Sequence, residues 1–234
     1  MIINHKYKFI FIKTRKTAGT SIEIALSQFC GATDIITPIE KIDEATRFES
    51  GFCAPQNYNL PLLSYGYPEW KRLIRSRKRM RFSNHVSANF IKRHAGEDIW
   101  RTYFKFCFER NPFDKAISRY YWSTRQRSPR PSMDDFLDEV NVRALSNWGI
   151  YTLNDHVAVD FVGRYETLSE DLSRIVKKLG LPSEMDLPWA KSQHRENREH
   201  YSKILSPHAR TRIEQVCARE IATFGYSWEE SEGG

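Results

Sequence analysis

The segment Lys13-Thr14-Arg15-Lys16-Thr17-Ala18-Gly19-Thr20-Ser21 brings cations, hydroxyls and one glycine into a single short stretch. These residue types suit an anion. Lys16 supplies a mobile positive charge, Thr20 and Ser21 supply hydroxyl donors, and Gly19 lets backbone come close to a ligand. A second constellation is Arg110 with Ser118 eight residues later and Pro112 between them. An arginine can fork two N–H bonds onto a dianionic phosphate, and a serine can add a hydroxyl donor. Each group also has a plainer reading. The first is equally an ordinary capped turn with two solvated lysines, and in the second Arg110 can pair with Asp114 while Ser118 faces solvent. For proton transfer the chain offers seven histidines, whose ordinary pKa near 6.5 suits a base.

These groups need elements to position them. Tyr7–Lys13 (YKFIFIK) is β-rich and mostly apolar, as expected of a strand buried on both faces. From Thr20 the residues TSIEIALSQF place Ile22, Leu26 and Phe29 at helical spacing, with Thr20 or Ser21 able to cap the start. The cationic turn therefore sits at the carboxyl end of a strand and opens a helix, where N–H groups and the helix dipole favour phosphate or sulfate. Thr102–Glu109 is a second buried strand, and a helix from Pro112 to about Arg125 follows it. A third strand is expected at Val157–Tyr165, before a helix whose Leu168, Leu172, Ile175, Val176 and Leu179 form one stripe ended by Gly180. Shorter helices are expected at Ala88–His94 and after the Ser132/Asp135 capping box, and a last helix from about Ser206 to Phe224. Between about 31 and 83 no period is sustained. The pattern predicts an α/β fold, a mainly parallel sheet with helices on both faces, in a single domain over 1–234 interrupted by that insertion.

Composition narrows the field. At 234 residues with 40% hydrophobic and 28% charged side chains, the chain can fill a core and is not intrinsically disordered. Its apolar runs are too short for a membrane span, and no secretory signal opens it, so a cytoplasmic location is the default expectation. Cys30, Cys53, Cys107 and Cys217 have no metal-site spacing and are expected as free thiols. The net charge of +7 favours anionic partners, and Lys71, Arg72, Arg75, Arg77, Lys78, Arg79 and Arg81 concentrate it. That run can recruit an anionic acceptor, guide a nucleotide, or simply be a solvated face or loop.

A nucleotide hydrolase or kinase would need GxxxxGK[ST], but here Thr20 follows Gly19 and the lysine precedes the glycine. The loop KTAGTS after a strand instead resembles the 5′-phosphosulfate loop of sulfotransferases, particularly their carbohydrate-type branch. Arg110 at a strand end and Ser118 in the next helix are similar to the family's pair for the 3′-phosphate of 3′-phosphoadenosine 5′-phosphosulfate (PAPS). VGRYETLSED (Val162–Asp171) looks like a third family segment, with Tyr165 against the adenine and Glu166 structural. The resemblance implies a P-loop-like sheet, with Arg15, Lys16, Thr17, Ala18, Gly19, Thr20 and Ser21 around the phosphosulfate. It also implies that Lys16 neutralises the leaving phosphate without a metal, and that His85 is the base. By position His94 suits a helix end, and His156 the back of the third strand. Arg195 and Arg198 resemble a segment that closes over the nucleotide, so Arg198 can reach the 3′-phosphate; a solvated connector is the alternative. One departure is Arg15, where many members carry proline, which leaves the turn less rigid and adds a guanidinium. The acceptor implied is a hydroxyl on a carbohydrate or glycosylated metabolite. The competing functions are a nucleotide kinase or hydrolase, which would also need a magnesium-binding acid, and a basic nucleic-acid-binding protein, although no recognised nucleic-acid motif accompanies the basic run.

Overall fold

The apolar runs of the sequence form the centre of the molecule. In the computed structural model, which describes residues 1–139, 142–185, 187 and 199–228, β1 (Ile2–Asn4), β2 (Phe9–Phe11), β3 (Ile35–Ile36) and β4 (Phe104–Glu109) join one sheet. A separate hairpin of β5 (Thr152–Leu153) and β6 (His156–Val157) precedes β7 (Phe161–Arg164), which completes the sheet in the order β3-β1-β2-β4-β7. Pairing is parallel for β2 with β4 and β4 with β7, and antiparallel for β1 with both neighbours, so β1 alone runs against the rest.

The helices in the first half are α1 (Gly19–Ser27), α2 (Lys41–Glu49), α3 (Tyr67–Ser76), α4 (Ala88–Ala95) and α5 (Glu97–Thr102). After β4 come α6 (Pro112–Ser123), α7 (Met133–Glu139), α8 (Trp148–Tyr151), α9 (Leu168–Leu179), α10 (Tyr201–Ile204), α11 (Pro207–Val216) and α12 (Ala218–Phe224). Among the described residues no helix is long and apolar enough to cross a membrane. All four cysteines are free thiols.

Alternation along the strands divides the core. Ile3, Ile10, Ile12 and Cys107 pack with α4, α5 and α8 through Ala88, Ile91, Trp100, Ile150 and Tyr151. On the opposite face Ile2, Phe9, Phe11, Phe106 and Phe108 pack with α1 and α9 through Ile22, Leu26, Leu172, Ile175 and Val176. Each fully buried Ile, Leu, Val or Phe among them contributes about 1.5–3 kcal/mol. The sheet is thus covered on both sides, as the buried runs predicted. A third cluster joins α6, α7 and α11 through Phe113, Ile117, Phe136, Leu137, Ala209 and Ile213.

Local signals explain several boundaries. Pro112 begins α6 behind Asn111, whose side chain accepts from Phe113 N at 3.0 Å. Ser132 Oγ accepts from Asp135 N at 3.1 Å, the first half of the expected box, and donates to the Asp135 carboxylate at 2.6 Å, so the return bond is made by the hydroxyl and not by the Ser132 backbone N–H. Gly180 ends α9 in the left-handed conformation.

Other expectations need correction. The cap of α1 is Ala18, itself left-handed, and neither Thr20 nor Ser21 caps it. The stretch without a sustained period holds β3, α2 and α3. β7 is shorter than Val157–Tyr165 because the chain first turns through the β5–β6 hairpin. His156 lies exposed in that hairpin and does not back β7. The final helix divides at Cys217 into α11 and α12.

Candidate active site

The three parallel strands β2, β4 and β7 present their carboxyl ends side by side, and the residues after each tip reach one cavity of about 630 Å³. The turn from Lys13 to Ser21 follows β2, Arg110 follows β4, and Tyr165 follows β7. Ser118 comes from α6, and Asn84 and His85 from the segment before α4. Every site residue predicted from the sequence lies on this cavity except Arg198, which, like Arg195, falls outside the described residues.

Buried polar groups fix the turn. Thr14 Oγ1 donates to the Phe108 carbonyl on β4, and the Thr14 and Thr17 hydroxyls are 2.8 Å apart. Asn147 clamps Arg15 from both sides, accepting from its N–H at 3.0 Å and donating to its carbonyl at 3.1 Å. This clamp supplies the rigidity expected to be missing without proline. Lys16 (φ 62°) and Ala18 (φ 57°) take left-handed conformations, and α1 starts with no side-chain cap. Gly19 serves packing: a Cβ there would stand 2.9 Å from Lys13 Cγ and 3.2 Å from Thr14 O.

The two lysines of the turn are not simply solvated. Lys13 is buried with its ammonium 2.8 Å from Glu23. Burial alone would raise the Glu23 carboxyl, but Lys13, the Met1 amino group and Arg47 hold it down at about 2. Lys16 is half-buried, its ammonium 5.4 Å from the Trp122 ring centroid.

Arg110 combines the two readings open to it. Its guanidinium pairs with Asp114, donating from Nε at 2.8 Å and also from Nη2, and still lines the cavity. Nη1 donates to the Lys16 carbonyl at 3.3 Å, which ties the β4 tip to the turn, and the Tyr165 ring lies 4.0 Å from the guanidinium carbon. The fork is thus oriented from three sides. Glu166 accepts from Asn111 N at 2.6 Å, a structural role as expected.

His85 is the one histidine lining the cavity among the described residues; His94 stands in the last turn of α4. His85 Nδ1 lies 2.9 Å from the Lys13 carbonyl oxygen, which can only accept, so Nδ1 carries the proton and Nε2 keeps a lone pair. Burial, with the Lys13 and Arg15 charges adding to it, pulls the imidazole down to about 3.

Arg119, Trp122 and Glu40 are among the lining residues that the sequence reading did not single out. Arg119 follows Ser118, and burial together with the Arg15 charge lowers it. Its Nε is buried without a hydrogen-bond partner. Trp122 lies one turn after Ser118, so i,i+4 spacing could have found it. Glu40, from the insertion, is the one acid among the described lining residues. The cations Arg15, Lys16, Arg110 and Arg119 therefore converge on one pocket, with an orphaned donor and an uncapped helix start, and this donor set fits a multiply charged anion.

The sequence profile of the Sulfotransferase family matches residues 1–227. The chain belongs to this family. An uncharacterized protein of Archaeoglobus fulgidus is 38% identical over 106 residues, which make up 44% of this chain and 88% of that protein. No solved structure matches. Sulfotransferase membership supports sulfuryl transfer in general and implies a transferase acting between a nucleotide donor and an acceptor substrate.

Proposed function

We propose that this sulfotransferase moves a sulfuryl group from PAPS to a hydroxyl of an acceptor, a carbohydrate or glycosylated metabolite, by in-line transfer with His85 as general base. The observation that carries the reading is that the turn after β2 and the Arg110/Ser118 pair beyond β4 line one cavity. We read β2, the turn and α1 as a P-loop-like unit in which N–H groups and Lys16 face the 5′ end. Arg110 and Ser118 then take the 3′-phosphate, and Tyr165 the adenine.

PAPS, when bound, supplies a sulfuryl group on a phosphate leaving group. As with phosphoryl transfer, a loose transition state asks for positioning and charge stabilisation. Lys16 and the N–H groups of residues 17–21 neutralise the charge that grows on the leaving oxygen as its S–O bond breaks. His85 Nε2 takes the proton from the acceptor hydroxyl as that oxygen forms the new S–O bond. Its Nδ1–H, fixed on the Lys13 carbonyl, keeps the lone pair on Nε2. Lys13 and Arg15 help to weaken this base. A bound anion would offset the Arg15 charge, while burial, the larger cause of the weak base, would persist.

The test is calorimetry with adenosine 3′,5′-bisphosphate (PAP). The chain is expected to bind it, and Arg110→Ala to weaken binding by about 30-fold or more, since removing one partner of a hydrogen-bonded charge pair costs about 2–5 kcal/mol. No binding by the unaltered chain, or equal binding by the variant, would reject the reading.

A further inference from the structure

We propose that the outer face of α3, with the 3-10 turn Leu62–Ser64 before it, is a docking surface for an anionic lipid bilayer. In α3, Tyr67, Trp70 and Ile74 recur at i, i+3 and i+7, so they share one side of the helix. All three are exposed, Ile74 at 77% and Tyr67 at 79%, and Leu63 just upstream is fully exposed. The side that faces the protein is different. It carries buried Glu69, which meets Arg93 at 2.8 Å, and Leu73, which packs on the core. An amphipathic helix has thus been laid down with a second apolar stripe turned outward.

Next to that stripe Lys71 and Arg75 form a cationic one, continued past the helix by Arg77, Lys78, Arg79 and Arg81, all exposed. No acidic residue occurs between Trp70 and Gly96 to offset them. The pattern matches what lies in a bilayer interface: aliphatic side chains at the acyl boundary, Trp and Tyr at headgroup level, and Lys or Arg on anionic headgroups. Other partners answer half of it. A nucleic acid or acidic polysaccharide would satisfy the cations but gain nothing from Leu63 and Ile74. A second copy meeting through the same face would cover the apolar stripe while setting cations against cations. The inference does not depend on the donor or the acceptor of the enzyme.

Flotation of the full chain with vesicles tests it. Binding is expected to phosphatidylcholine vesicles that contain phosphatidylserine, and not to phosphatidylcholine alone. Replacing four exposed cations together (Lys71→Gln, Arg75→Gln, Arg77→Gln, Lys78→Gln) is expected to weaken binding by about a hundredfold or more. The Leu63→Ser/Ile74→Ser double variant, which leaves the core intact, is expected to weaken it by about tenfold or more. Absence of vesicle binding overturns the proposal. So does a double variant that binds as the unaltered chain does, which would mark a face for polyanions in general. Self-association in light scattering that the same double variant abolishes, without vesicle binding, would assign the face to a second copy instead.

Discussion

At the cavity wall and on α3 the chain displays cations in opposite ways. Around the cavity they are held in place: Lys13 by buried Glu23, Arg110 by half-buried Asp114 and the Lys16 carbonyl, and the backbone of Arg15 by buried Asn147. Beneath them Glu109 is fully buried and accepts from Lys115 at 2.7 Å, Asn147 at 3.1 Å and Tyr151 at 3.2 Å, which joins β4, α6 and α8. On α3 the cations stand exposed, and the buried acid of that helix, Glu69, meets Arg93 of α4. The difference is physical. Fixed charge needs desolvated scaffolding, which costs stability if any member is lost, whereas exposed charge is screened and can change at little cost.

The largest effect is expected where the cavity scaffold is deepest. Lys115 is buried, 2.7 Å from Glu109 and 4.0 Å from Glu220. Burial alone would lower it, but these carboxylates and Cys217 hold the ammonium above its ordinary value. Lys115→Met leaves the acids uncompensated, and chemical denaturation is expected to show a loss of about 3–5 kcal/mol. A loss below 1 kcal/mol, on the order of what exposed surface pairs contribute, would erase the contrast between the two regions.

A middle-sized effect is expected from His85. In the folded chain its imidazole is held at about 3, whereas unfolding restores a value near 6.5. Below about pH 6.5 the unfolded chain therefore binds a proton that the folded chain refuses, so stability falls as pH drops through the window from about 6.5 to about 3. By pH 5 His85 is expected to contribute a loss of up to about 2 kcal/mol relative to pH 7. Denaturation at both pH values, repeated on His85→Gln, should show the variant losing less on acidification. Equal losses would mean that the cavity does not keep this imidazole neutral.

Legibility in the sequence follows the same divide. The strand, turn and helix around Lys16 were readable because a buried apolar run, a glycine and a helical period stand next to one another. Arg110 and Ser118 were readable because the same pattern returned after the second strand. Asn147 and Glu109 were not: their partners lie across the fold, 132 positions apart for Asn147 and Arg15, and no spacing announces a buried hydrogen bond. β1 and β3 are only three and two residues long, too short for a period to register. α3 escaped because its apolar stripe points away from the core, so its helical period looked like scattered aromatics among cations.

The smallest effect separates a surface that binds from a surface that holds the fold together. Lys71 and Arg75 are exposed neighbours at i,i+4 on α3 and repel each other weakly. Replacing both with glutamine removes that repulsion and no buried contact, so folding stability is expected to stay within about 0.5 kcal/mol of the unaltered chain. Thermal denaturation of the double variant measures this. A loss beyond 1 kcal/mol would show that these side chains secure α3 to the body, and their charge would then belong with the scaffold of the cavity rather than with a partner-facing surface.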